Sequence, residues 1–263
     1  MYLKSLLPKL IFLLSAFLVG LNAQTNHSYW QQHADYKMEV DFDVEKYQYT
    51  GTQRLVYSNN SPDDLRRVYF HMYFNAFQPG SEMDIRLQNI KDPDRRMTED
   101  DKSRIAGLAP DEIGYLRASS LKQDGKDVSF NLEGTVLEVQ LANPIPSGGK
   151  STFEMDFSGQ VPLQIRRSGR NNSEGVALSM SQWYPKLAEY DFEGWHADPY
   201  IGREFHGVWS DFDVKLTLDK NYIVGGSGYL QNPQEIGHGY EAPGSKIRKA
   251  GGNTLTWHFR APG

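Results

Sequence analysis

Residues 194–209, GWHADPYIGREFHGVW, hold two histidines and two carboxylates. Drawn as a hairpin about Ile201, the stretch places His196 opposite His206 and Asp198 opposite Glu204. Side chains two apart on a strand share a face, so all four would converge. Three or four such N/O donors on tetrahedral vectors are what a zinc ion takes, provided outer hydrogen bonds orient them. The drawing is sensitive to register, because a slip of one residue sends alternate side chains to opposite faces. The plainer reading is a polar connection whose charges pair with one another. On that reading no metal is held at His196, Asp198, Glu204 or His206.

Elsewhere the motifs of catalysis are missing. The sequence has no Gly-x-Ser-x-Gly elbow, phosphate-binding loop, dinucleotide fingerprint or cysteine nucleophile. None of its 7 histidines is followed by Glu, which excludes the His-Glu-x-x-His helix of zinc proteases. A second concentration of side chains is SQWYPKLAEYDFEGW (181–195), where Trp183, Tyr184, Tyr190, Phe192 and Trp195 crowd around Glu189, Asp191 and Glu193. That composition fits a binding rim for a sugar or a peptide. It fits equally well an aromatic patch packed against another domain.

The elements that must position these residues are strands. In YKMEVDFDV (36–44), Tyr36, Met38, Val40, Phe42 and Val44 face one way and charged residues the other, the mark of a half-buried strand. The same alternation recurs in STFEMDF (Phe153, Met155, Phe157), SDFDVKLTL (Phe212 to Leu218) and TLTWHF (Leu255, Trp257, Phe259). RVYFHMYFNAF (67–77) is apolar nearly throughout, which predicts a central strand covered on both faces, with His71 a core histidine. Turn residues separate the strands at NNSPDD (59–64), NPIPSGG (143–149) and NPQ (232–234), and Asp124-Gly125 predicts a tight hairpin. Residues 91–118 read as a charged surface excursion. The fold class expected is all-β, ten or more mostly antiparallel strands in one domain.

Composition narrows the rest. The chain has 263 residues and no cysteine, so a core rather than disulfides must hold it together. A net charge of −5, without long basic runs, argues against nucleic acid as a partner. Lys4 and Lys9 precede an apolar run at 10–21 and then Asn-Ala-Gln, which reads as a signal peptide over 1–23 and an exported protein, secreted or periplasmic. The apolar run is itself too short to span a bilayer comfortably, and no further long apolar segment follows it.

In their order and spacing, four segments resemble the N-terminal β domain of the aminopeptidase N family of zinc metallopeptidases, in its secreted bacterial form. They are YKMEVDFDVEKYQYTGTQRLVYSNNSPDDLRRVYFHMYFNAF, LANPIPSGGKSTFEMDFSGQVP, SQWYPKLAEYD and VWSDFDVKLTLDKNYIVGGSGYLQNP. The resemblance implies a saddle-like, sandwich-like β domain over 24–263, with 260–263 beginning a linker to a catalytic domain that the sequence lacks. It implies that zinc and hydrolysis belong to that absent domain, that this chain alone is inactive and has no cofactor, and that the parent enzyme trims peptides. Family members can lend one polar group to the substrate's free amine, and here Glu174 and Gln182 match that region. The alternative from another class is a secreted β-sandwich module that binds glycans or a protein through the 183–195 aromatics.

Overall fold

The alternation read from the sequence builds long strands with one dry face. Along β1 (His33–Asp43), Tyr36, Met38 and Val40 are at most 3 % exposed, while Lys37, Glu39 and Asp41 are in water. The computed structural model describes residues 29–90, 92, 94–100, 102–202, 206–248 and 251–263. The signal peptide expected over 1–23 lies outside them, as does Glu204.

After β1 come β2 (Gln48–Ser58), β3 (Leu65–His71), a helix at Glu82–Asn89, and the short pair β4 (Thr98–Glu99) and β5 (Lys102–Ser103). Next are β6 (Tyr115–Gln123), β7 (Lys126–Asp127), β8 (Phe130–Glu133), β9 (Val136–Ile145) and β10 (Lys150–Gln160). Five two-residue strands follow: β11 (Gly169–Arg170), β12 (Leu178–Ser179), β13 (Lys186–Leu187), β14 (Tyr190–Asp191) and β15 (Gly194–Trp195). The last are β16 (Trp209–Asp219), β17 (Tyr229–Leu230) and β18 (Thr254–Ala261).

These make an all-β domain with a large mixed sheet. Its order is β17-β18-β16-β1-β2-β10-β6-β7, antiparallel throughout except that β1 and β16 run parallel. There Tyr36 pairs with Phe212, and their rings stack at 4.9 Å. A second sheet, β13-β3-β9-β8, covers the first. The two layers meet at Phe70 and Phe153, whose rings lie edge to face 6.1 Å apart, and where the Leu187 amide donates to the Tyr36 hydroxyl at 2.9 Å. A smaller apolar cluster of Leu218, Ile236, Trp257 and Phe259 closes the far end of the large sheet.

Asp124 and Gly125 form the expected hairpin, with φ of +49° and +79° as a two-residue primed turn requires. Two expectations need correction. The apolar run at 67–77 is central, but it is strand only to His71; Tyr73–Ala76 is a 3-10 helix. The named ladder ends where β9 begins, at Val136 opposite His71; the Met72 amide still donates to the Thr135 carbonyl at 2.7 Å, and the chain then turns into the 3-10 helix. The 91–118 segment is also more than a surface excursion. Its end, from Tyr115, is strand, and Met97 and Ile105 are fully buried. Asp92 in this segment is buried too, with Arg86 at 3.2 Å and Arg166 at 3.8 Å. Charges that pair internally look like surface charges in a sequence.

The 59–64 turn is built on one side chain. Asn59, fully buried, donates to the carbonyls of Asp63, Ile145 and Pro146, and its Oδ1 accepts from Gln32 and Ser61. The turn in turn presents the Asp63 carboxylate, which accepts from the Tyr190 hydroxyl at 2.8 Å. Asn59→Ala strands buried carbonyls whose desolvation costs about 1–3 kcal/mol each when unpaired. The expected result is a loss of roughly 2–3 kcal/mol, read as a lower urea midpoint at unchanged slope. Asn59→Asp, which keeps the acceptor and loses the donors, should cost nearly as much.

Candidate functional site

Tyr190, Asp191, Gly194 and Trp195 form a tight hairpin closed by Phe192 and Glu193. Gly194, at φ +101°, occupies backbone space that an L side chain rarely takes. One residue further out, the His196 amide donates to the Glu189 carbonyl at 2.9 Å, so Glu189 and His196 are cross-strand partners. Paired residues share a face, and so do residues two apart, which puts Glu189, Asp191 and His196 on one side of the ribbon. On the other side, Tyr190 and Trp195 pack together at 5.1 Å, and Trp195 meets Tyr69 at 5.6 Å. The hairpin is therefore amphipathic, its aromatic face turned to the core.

A loop then carries the chain round to His206. It is pinned at Tyr200, which is buried, with its amide donating to the Thr135 hydroxyl at 2.7 Å. The buried Arg166 guanidinium donates to the Tyr200 hydroxyl at 3.1 Å and also to the Gly202 carbonyl. Beyond His206, Gly207 passes close to Lys186; a methyl group there would sit 2.5 Å from Lys186 Cε. The result brings the His196 and His206 rings to 4.7 Å, at 78°.

The hairpin drawn about Ile201 thus names the right histidines for a different reason. No strand pairing centres on Ile201 among the described residues, and Asp198 is exposed. The carboxylate between the histidines is Asp191: its Oδ2 lies 2.8 Å from His196 Nε2 and 3.7 Å from His206 Nε2. Its Oδ1 accepts from the Glu193 amide at 2.8 Å. Burial pushes the Asp191 carboxyl up, but contacts with His196 and that amide outweigh it and hold it below its ordinary value. Sequence reasoning missed Asp191 in this role. The signal was Asp191-x-x-Gly194, a two-residue turn at Phe192–Glu193 that folds the chain back well before the one drawn about Ile201.

On and beside this face sit groups with displaced titrations. Burial raises the Glu189 carboxyl to about 7. It lowers the Lys186 ammonium, against an opposing pull from Glu189. His71 is lowered to about 4, first by burial and then by the nearby Lys186 charge; it is a core histidine as the sequence implied, though its buried Nδ1 makes no hydrogen bond. Its Nε2 donates to the His196 carbonyl at 3.1 Å and its ring stacks on Tyr73 at 4.8 Å.

The two substrate-amine candidates stand in different surroundings. Glu174 is exposed on a turn organised by Asn172, whose Oδ1 accepts the amides of Glu174 and Val176. Gln182 has a left-handed backbone at φ +58° and lines, with Tyr73, Phe77 and Tyr200, a cavity of about 10 Å³, room for at most one water. Of the aromatics at 183–195, Trp183, Tyr184 and Trp195 pack inward against Tyr36, Tyr49, Tyr57 and Tyr69, and Tyr190 packs on Trp195, while Phe192 is 86 % exposed. A second cluster, His33, Asp35 and Asp211, joins β1 to β16 at 3.3 and 3.5 Å beside a surface groove of about 490 Å³.

No protein-family model matches the chain, and no curated protein matches it. Among solved structures it is similar to an M1 zinc metallopeptidase from Deinococcus radiodurans, at 15 % identity and a TM-score of 0.47. A mutant of that peptidase bound to a Tyr-Ser-Ala substrate aligns at 16 % identity and a TM-score of 0.45. Both alignments cover 88 % of this chain and 38 % of the other, so the chain spans well under half the length of those structures.

Proposed function

We propose that this chain is the non-catalytic β domain of an exported aminopeptidase N-like zinc metallopeptidase, whose catalytic part removes N-terminal residues from peptides. What supports the reading is order. The four segments that resemble that family fall, one after another, on β1–β3, β9–β10, β13–β14 and β16–β17, the strands that make and join the two layers. The residues of this chain do not fit the family's catalytic zinc, since none of the 7 histidines precedes a Glu. On this reading hydrolysis belongs to a catalytic domain outside the 263 residues. This domain flanks it, with Glu174 or Gln182 the group nearest to serving a substrate ammonium by charge or dipole complementarity. Trp209, Ile223 and Tyr229, at 59, 62 and 71 % exposure, are large apolar side chains of the kind that a docked domain covers. The charged start and apolar run at 1–23 support export.

The test is direct. The purified chain is expected to give no turnover of aminoacyl p-nitroanilides or short peptides, with or without added zinc. The reading also expects a His-Glu-x-x-His helix encoded downstream of Gly263. Turnover by this chain alone, abolished by no contaminant control, would overturn it.

A further inference from the structure

We propose that Asp191, His196 and His206 form a binding site for one divalent transition-metal ion, for which zinc is the test case. The proposal is independent of the peptidase reading and reverses the expectation that this stretch holds no metal. Three donor atoms of these residues all lie within 4.8 Å of one another. A tetrahedral zinc with bonds near 2.0–2.1 Å holds its donors about 3.3 Å apart. The measured spacings from Asp191 Oδ2, 2.8 Å to His196 and 3.7 Å to His206, bracket that value. The side chains of Asp191, His196 and His206, 27, 24 and 57 % exposed, have room to adjust.

The surroundings of one donor suit a shared ion. His196 Nε2 is sealed from solvent and makes no hydrogen bond, although Asp191 Oδ2 is only 2.8 Å away. The outer contacts also suit a ligand set. The Glu193 amide holds Asp191 Oδ1 and leaves Oδ2 for the metal, and the His196 backbone is held at both ends, by Glu189 and by His71. Two imidazoles and one carboxylate are donors for zinc, cobalt, nickel or iron(II), not for calcium or magnesium. The second cluster lacks these marks: His33 Nε2 already hydrogen-bonds Asp35 at 3.3 Å, and only one of its three donors is nitrogen. Bound metal would tie the 190–195 hairpin to the loop that reaches His206, with a fourth position open to solvent.

The experiment titrates zinc into the chelator-stripped chain, by calorimetry and by metal analysis after gel filtration. The expected result is one equivalent per chain, with a rise in melting temperature. Affinity should fall at least tenfold in His196→Ala, in Asp191→Asn and in His206→Ala, the last being exposed enough to leave folding intact. Asp211→Asn should bind as the parent does. Failure to bind zinc at micromolar concentration would overturn the proposal and leave His–Asp ion pairs only. So would binding that survives His206→Ala, or that is lost in Asp211→Asn instead.

Discussion

Phe153→Ala should lower the unfolding free energy of the domain by about 3–5 kcal/mol, the largest effect expected of any single truncation here. Phe153 is 1 % exposed on β10, in the middle of the large sheet, and its ring meets Phe70 on the covering sheet at 6.1 Å. Removing it takes apolar surface from both layers at once. It also opens a cavity that flat strands cannot collapse to fill, because each is held by ladders on both sides. For a domain of this size the loss corresponds to a fall in melting temperature of roughly 10 °C. Phe153→Leu should cost less than half as much. Equal losses for the two variants would mean that the ring does not bridge the layers as described.

Gly159→Ala is the second. Gly159 on β10 pairs with Tyr49 on β2, and the Tyr49 ring lies flat over it: an added methyl would sit 2.2 Å from Cζ. Two positions away the arrangement is repeated in reverse, with Gly51 on β2 under the ring of Phe157 on β10 at 2.6 Å. Each glycine makes the space that the opposite aromatic fills, and the two rings then meet edge to face at 6.4 Å. Tyr49 cannot swing aside cheaply, because its hydroxyl donates to the Trp183 carbonyl and its ring also touches Phe74 and Trp183. Overpacking of this kind costs about 1–3 kcal/mol, and Gly159→Ala is expected near the upper end. Since the Tyr49 contact fixes residue 183, the loss should come with a changed near-UV circular dichroism spectrum. A stable Gly159→Ala protein with an unchanged spectrum would argue against the ring-over-glycine pair.

Much of the architecture was legible. Period-two alternation located β1, β10, β16 and β18 and named the buried residues of β10 and most of those of β1, because a sheet with one wet face writes its pleat into the sequence; on β16 only Leu218 is buried, and Phe212, Val214 and Leu216 are half-buried. Less was legible where local pattern and partner disagree. Residues 73–76 continue an apolar run that reads as strand, yet they form a 3-10 helix, since the β3–β9 pairing ends with one last bond from the Met72 amide to the Thr135 carbonyl. Asp92 belongs to a charged run and is nonetheless buried, its cost offset by arginines brought from Arg86 and Arg166.

The site divides the same way. The sequence by itself determined that His196 and His206 lie in one connection and that no His-Glu-x-x-His helix exists in this chain. It also supplied the alternation that puts Tyr190 and Trp195 on the face opposite Asp191. Only the tertiary structure decided that Asp191, not Asp198, stands between the histidines. That choice depends on Tyr200 being anchored by Thr135 and Arg166, residues 65 and 34 positions away, and on Tyr190 reaching Asp63 across 127. Such contacts are set by the packing of one sheet on another, and packing is a property of the assembled layers that no local spacing encodes.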